Sequence, residues 1–211
     1  MSQVKHEENI AFWRRFAGWY DRFLVRAMPD YGGLVDRIVE DATPSDRVLE
    51  VASGTATIAI ALAKKAAQVE AVDYAPEMIE IARKKADAQH LTNLHLTVQN
   101  ACSLEFEQGV FDAVVSSNVL HLLVDPTTAL AEMHRVLKPR GLLIAPTFCH
   151  AETPLAMVLS STMRLAGFKA YHKWTLDAYR RFVEASRFEV IRDDVISGAI
   201  PMCYLIGRKV Q

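Results

Sequence analysis

From Arg47 to Thr147 short apolar runs alternate with stretches of helical periodicity, and this alternation constrains the fold more than any other feature of the chain. Arg47-Val48-Leu49-Glu50-Val51 reads as a buried strand and Thr55 to Lys65 as a helix. Val69 to Asp73 is a second strand, and Glu77 to Ala88 a second helix. Leu94 to Val98 is a third strand and Phe111 to Ser116 a fourth. Thr128 to Leu137 is a helix leading to a fifth strand, Gly141 to Thr147. Strands joined by helix-length crossovers predict a parallel sheet covered on both faces. After helical stretches at Leu155 to Ala166 and Leu176 to Ala185, two β-like runs, Phe188 to Val195 and Met202 to Arg208, flank Ser197-Gly198. They predict antiparallel strands at the end of a doubly wound, mostly parallel, seven-stranded α/β sheet.

Ahead of this pattern, Ile10 to Met28 forms an amphipathic helix on a wheel. Ile10, Phe12, Trp13, Phe16, Trp19, Tyr20, Phe23 and Leu24 fall on one half, and Arg14, Arg15, Asp21, Arg22 and Arg26 on the other. A helix packed on the domain, a lid over a ligand and attachment to a membrane surface all fit it. With 211 residues and no linker or repeat, the chain reads as one domain: a helical lid over 1–42, a core over 46–149, and acceptor-side helices and strands over 150–211. The 24 basic and 25 acidic residues supply no cationic field for a nucleic acid. Three scattered cysteines form no disulfide framework or metal-binding thiol pair. The polar first residues form no signal sequence, so a soluble cytoplasmic protein is expected.

The chemistry concentrates where the first strand ends, at Glu50-Val51-Ala52-Ser53-Gly54-Thr55-Ala56. Small residues turn the chain at the carboxyl edge of the sheet, where ligands bind in doubly wound folds, and let a ligand approach the backbone. Such a turn also occurs without a ligand. Asp73, closing the second strand before Tyr74-Ala75-Pro76, can accept both hydroxyls of a ribose or merely cap the next helix.

In these segments the chain resembles the class I S-adenosylmethionine-dependent methyltransferases, from about Arg47 to Thr147. Glu50 to Ala56 is similar to the family's glycine-rich first motif, with Ala52 and Ala56 where outer glycines are usual and Gly54 retained. Asp73 and Met78 match its second acidic motif, Val98 to Cys102 its adenine-contacting segment, Phe111 to Leu122 its fourth strand and turn, and Leu130 to Leu143 the helix and Lys-Pro-x-Gly turn before the fifth strand.

The resemblance implies S-adenosyl-L-methionine as cofactor and S-adenosyl-L-homocysteine as product. It implies that Glu50, Ala52, Ser53, Gly54 and Thr55 hold the methionine part and Asp73 the ribose, the two carboxylates clasping opposite portions of one ligand. Tyr74, Met78 and Ala101 would enclose the adenine with Asn100 at its polar edge, while Asn118 and Val119 lie near the sulfonium. Tyr20 would face that sulfonium by cation–π attraction. His121, just past the fourth strand, is the first candidate for a base, ahead of His150 and His172, although packing or capping explains it equally. No metal ligands are expected. The apolar amino-terminal face with Met157, Met163, Phe168 and Trp174 suggests a small hydrophobic or aromatic methyl acceptor. A phospholipid N-methyltransferase at a membrane surface and a non-catalytic cofactor-binding scaffold are the alternatives. A nicotinamide dehydrogenase is disfavoured by the absence of a Tyr-x-x-x-Lys pair and of Gly-x-Gly-x-x-Gly.

Overall fold

The computed structural model describes residues 13–15, 17–28, 30–42, 47–165 and 169–211. Ile10, Phe12, Phe16, Ala166 and Phe168 lie outside them. A 3-10 turn, Ala17–Trp19, leads into α1 (Tyr20–Ala27), followed by α2 (Tyr31–Ala42). Then come β1 (Arg47–Val51), α3 (Thr57–Ala63), β2 (Gln68–Asp73), α4 (Pro76–Asp87), β3 (Leu94–Val98) and β4 (Phe111–Val115). A 3-10 turn at Leu120–Leu122 precedes α5 (Pro126–Val136), β5 (Leu137–Ile144) and β6 (Thr147–Phe148). The chain continues through α6 (Pro154–Leu165), α7 (Leu176–Ala185), β7 (Phe188–Ile196) and β8 (Met202–Lys209).

The described strands form one eight-stranded sheet in the order β3-β2-β1-β4-β5-β8-β6, with β7 also paired to β8. β1 to β5 run parallel, and β8 is antiparallel to β5, β6 and β7. The additional strand is the two-residue β6, which peels away from β5. Along the central strands successive side chains enter opposite layers. Val48, Ala113, Val115 and Ile144 pack with Ile38 of α2, Ile58 of α3 and Ile79 of α4. Leu49, Val51, Val114 and Leu143 pack with Leu130 and Met133 of α5 and with Tyr179 and Val183 of α7. Both faces are therefore dry, which is why the strands read as continuous apolar runs.

One strand starts earlier than the sequence predicts. Phe111 pairs with Leu137 and Ala113 with Leu142, so the Lys138-Pro139-Arg140-Gly141 stretch bulges out of β5. Lys138 Nζ ties the bulge to Asp112 Oδ1 at 2.7 Å. A Cβ on Gly141 would lie 3.0 Å from the Asp112 and Lys138 carbonyl oxygens, so the bulge requires glycine there.

The chain leaves β1 for β2 and β3 on one side and returns to β4 on the other. The strand order thus reverses between β1 and β4, and a crevice opens at their carboxyl ends.

Candidate functional site

A cavity of about 630 Å³ occupies this crevice, within the usual size of a small-molecule site. One part of its lining comes from the strand ends: Ala52 and Gly54 after β1, Asp73 after β2, Asn100 after β3, and Ser117 and Asn118 after β4. Another part is mostly apolar and comes from Met28 and Leu34, from Phe148, from Leu159 and Met163 of α6, and from the β7–β8 turn at Ile196 to Ile200.

The first turn is built with three residues at positive φ, Ala52 at 56°, Gly54 at 55° and Ala56 at 58°. Glycine is retained at the middle position for a visible reason. A Cβ there would meet Tyr20 Cε1 at 3.1 Å, because the phenol ring of α1 lies against the turn. Ala56 is fully buried in the core, so only the Ala52 methyl projects toward the cavity. A left-handed alanine costs about 1 kcal/mol relative to glycine. Ala52→Gly is therefore expected to stabilise the protein by about 1 kcal/mol, raising the calorimetric melting temperature by about 2–4 °C. A lower melting temperature would contradict the strain argument.

Asp73 is the central polar group of this lining. Its Oδ2 accepts from the Gly54 N–H and its Oδ1 from the Ala75 N–H, both at 2.8 Å, so it joins the first turn to the second. Burial holds the carboxyl above the ordinary range, while the N–H groups of Ala75, Gly54 and Tyr74 pull it back. Each oxygen retains a lone pair for a hydroxyl donor.

Of the residues expected at the methionine end, Glu50, Ser53 and Thr55 do not line the cavity, whereas Ala52 and Gly54 do. Glu50 is buried and its Oε2 accepts from the Ala59 N–H of α3 at 2.8 Å, so it braces the turn from behind. Of the two carboxylates expected to clasp one ligand, only Asp73 lines the cavity. Burial, reinforced by Asp73, pushes the Glu50 carboxyl up to about 8 against the Ala59 N–H and Lys85. Because the folded value lies above the unfolded one, the resulting stabilisation is complete below about pH 4.5 and is lost as pH rises through 8. Glu50→Gln keeps an acceptor for Ala59 and removes the titration. Its melting temperature is expected to match the parent at pH 5 and to exceed it at pH 9, where the parent has lost a few kcal/mol.

Thr55 serves a third purpose. Its Oγ1 donates to Asp21 Oδ1, while Lys85 Nζ reaches Asp21 Oδ2 at 3.1 Å and Thr57 Oγ1 at 2.9 Å. This fastens α1 to the first turn and brings Tyr20 into the cavity wall, with Trp13 edge-on to it at 5.8 Å. Burial, then Asp73 and Glu50, push the Tyr20 phenol above its usual range. It is a neutral ring, suited to pack against a cation and not to take a proton.

Tyr74, Met78, Asn100, Ala101, Asn118 and Val119 all line the cavity, as expected. Asn100 Oδ1 accepts from the Cys102 N–H at 2.9 Å, so much of its acceptor capacity is spent on its own turn. Asn118 has φ of 57°, and its Oδ1 is buried with no hydrogen-bond partner among the described residues; the neighbouring Ser117 Oγ is likewise unmatched.

His121 and His150 are both buried and both line the cavity, their ring centroids 4.9 Å apart. Burial, then His150 and His172, hold His121 well below the usual imidazole range. Burial and then Lys173 bring His150 down to about 4. Both rings are thus neutral bases at neutral pH. The His121 carbonyl accepts from the Tyr171 and His172 N–H groups at 2.9 and 3.1 Å, which fixes the 3-10 turn that carries it.

Neither Trp174, expected beside the acceptor, nor His172, the third candidate base, lines the cavity. His172 stacks on Trp174 at 5.2 Å, and Trp174 packs on Tyr179 and Phe182 rather than in the cavity. Met157 is exposed, whereas Met163 lines the cavity as expected. Gln99, within the expected adenine-contacting segment, also lines the cavity, whereas the contributions of Leu34 and Arg37 from α2 and of the β7–β8 turn carry no signal in the sequence reading. Arg37 stacks on Tyr204 at 4.0 Å and pairs with Asp194. Among the described residues, no group of three or more His, Cys, Asp or Glu is placed to hold a metal.

Residues 49–145 match the family described as "Methyltransferase domain". The segment begins in β1 and ends just after β5, so it spans both turns and the Asn118 loop. The chain carries a class I S-adenosylmethionine-dependent methyltransferase domain. The domain is 36% identical over 115 residues to a ubiquinone/menaquinone biosynthesis C-methyltransferase of Citrifermentans bemidjiense, covering 53% of this chain and 49% of that one. It is 41% identical over 104 residues to a demethylmenaquinone methyltransferase of Deinococcus radiodurans, covering 48% and 43%. The chain spans about half the length of the curated relatives it matches. An S-adenosylmethionine-dependent methyltransferase from Thermotoga maritima superposes with a TM-score of 0.76 at 20% identity, over 96% of this chain and all (100%) of that one, and shares the fold.

The lining of the methyltransferase domain suits the family's cofactor. Asp73 offers acceptor lone pairs to a diol, the Asn118 and Ser117 oxygens need donors, and Met78 and Ala101 give apolar faces for a purine.

Proposed function

We propose that the protein binds S-adenosylmethionine and transfers its methyl group to a small, apolar, ring-bearing acceptor of the reduced-quinone class. One observation carries this reading: the Asp73 side and a mostly apolar second arm containing two neutral imidazoles belong to one cavity.

S-Adenosylmethionine, when bound, supplies a methyl group already activated on a sulfonium. The chain's own task is then to position the acceptor, exclude water and take a proton if the acceptor must lose one. Asp73 accepts the ribose hydroxyls, Tyr74, Met78 and Ala101 enclose the adenine, and Asn118 and Tyr20 face the methionine end. Leu34, Phe148, Leu159, Met163 and Ile200 form a dry wall against the acceptor. His121 is the proton acceptor, with the His150 ring beside it. Two curated relatives named above carry quinones in their names, and the apolar second arm suits an acceptor of that chemistry.

Titration calorimetry with S-adenosylmethionine and S-adenosylhomocysteine, followed by transfer of labelled methyl into metabolite and lipid extracts, tests the proposal. Micromolar binding and label in a small apolar product are expected. No binding heat at millimolar ligand, or label only in protein or RNA, refutes it.

A further inference from the structure

Among the described residues Arg37 is the only lysine or arginine that lines the cavity, and it belongs to the mostly apolar arm. Its guanidinium is fixed from the protein side. Its Cζ lies 4.0 Å from the centre of the Tyr204 ring, and its Nη2 donates to Asp194. Asp194 and Tyr204 pair in register across β7 and β8, two residues from Ile196 and Met202 of the cavity wall. Tyr204 is fully buried and donates its hydroxyl to Asp41 at 2.7 Å, and Asp41 also accepts from Arg192. Four side chains from α2, β7 and β8 thus set the orientation of one guanidinium.

A guanidinium carries five N–H donors. Among the described residues only the bond to Asp194 draws on those of Arg37, and its side chain is 32% exposed. A fixed donor set in an apolar wall selects a ligand that brings an oxygen to it. A ligand without one strips water from the donors and leaves them unpaired.

Charge decides which kind of oxygen. Arg37 and Arg192 are matched by Asp194 and Asp41, so the network is neutral by itself. Asp30, just ahead of α2 with its carboxylate against Gly33, lines the same cavity. A ligand carboxylate would meet Asp30 and Asp194 beside a cation that is already paired. An uncharged hydroxyl or carbonyl oxygen accepts from the remaining N–H groups without that repulsion.

We infer that Arg37 is a specificity residue that hydrogen-bonds an uncharged oxygen of the methyl acceptor, other than the one presented to His121, and that the site disfavours a carboxylate in that place. The inference rests on the reading of the apolar arm as the acceptor site, and it assigns recognition of the acceptor's second oxygen to a named side chain.

Calorimetric titration of the full chain, with S-adenosylhomocysteine present and air excluded, compares three ring-matched probes: 1-naphthol, 1,4-dihydroxynaphthalene and 4-hydroxy-1-naphthoate. The diol is expected to bind about 10–10²-fold more tightly than 1-naphthol, the range for a hydrogen bond from a charged donor. The carboxylate should bind more weakly than the diol. Arg37→Leu is expected to bring the diol and 1-naphthol within about threefold of each other. Arg37→Lys keeps a cation without the stacked, planar donor fork and should cost at least about threefold of the diol preference. It carries the test if thermal unfolding shows that the leucine variant does not fold. Asp30→Asn removes a negative charge and should improve the carboxylate several-fold relative to the diol. A parent that does not prefer the diol, a preference that the Arg37 substitutions leave unchanged, or a carboxylate bound more tightly than the diol overturns the inference. Absence of binding by all three probes at millimolar concentration also overturns it. An Arg37-dependent preference without any methyl transfer leaves the assignment in place and removes the methyl-transfer reading instead.

Discussion

Asp73→Ala is expected to weaken S-adenosylmethionine binding by about 10²–10³-fold. Two charge-assisted hydrogen bonds to ribose hydroxyls contribute about 1.5–2 kcal/mol each. The substitution also frees the Gly54 and Ala75 N–H groups, which the Asp73 carboxylate now holds at 2.8 Å, and so loosens both turns around the ligand. Asp73→Asn retains one acceptor oxygen and should lose closer to tenfold. Calorimetry gives the affinities, and thermal unfolding shows whether the variants remain folded. An Ala variant that binds within a factor of a few of the parent would remove Asp73 from the ligand.

His121→Gln is expected to lower kcat by about 10²–10³-fold while leaving cofactor affinity nearly unchanged, the range associated with a positioned general base. The loss of kcat at unchanged cofactor affinity separates this role from simple packing, and the pH dependence follows from the burial of the ring. Since burial and the neighbouring histidines keep His121 well below the usual imidazole value and His150 lies at about 4, both rings remain neutral through pH 6. The kcat profile should therefore stay flat from pH 8 to pH 6, with no fall near 6.5. Unchanged kcat in the variant would mean that the acceptor sheds its proton without help. Depressed imidazoles also affect stability. The unfolded chain protonates near 6.5 before the folded one does, so the neutral-imidazole contribution is present above that value and is lost as pH falls toward 4.

The layered fold was legible because burial on both faces leaves a simple trace. Val48-Leu49 and Val114-Val115 send neighbouring side chains to opposite cores, and no polar residue at either pair could meet that demand. The nucleoside side of the site was legible for a related reason, as it is assembled from residues immediately after strands.

Glu50 shows where such reading stops. It and Asp73 both sit near the ends of adjacent parallel strands, yet Glu50 pairs with Ala71, two residues before Asp73. That offset is about 6–7 Å along the strand, enough to keep one carboxylate under α3 and carry the other into the crevice. Aligning the two strands by register would have revealed it. The apolar arm carried no comparable local signal. Leu34, Phe148, Met163 and Ile200 are distant along the chain and meet only because the β7–β8 hairpin folds back beside α2.

The attachment of Asp21 to Thr55 and Lys85 has a consequence for exchange of the bound molecule. The roof of the chamber is riveted to its own floor, since the Thr55 hydroxyl that secures α1 belongs to the segment beneath Tyr20. A ligand leaving beneath α1 would have to break this rivet and unsettle the floor that grips it, so that departure and loss of grip would be a single event.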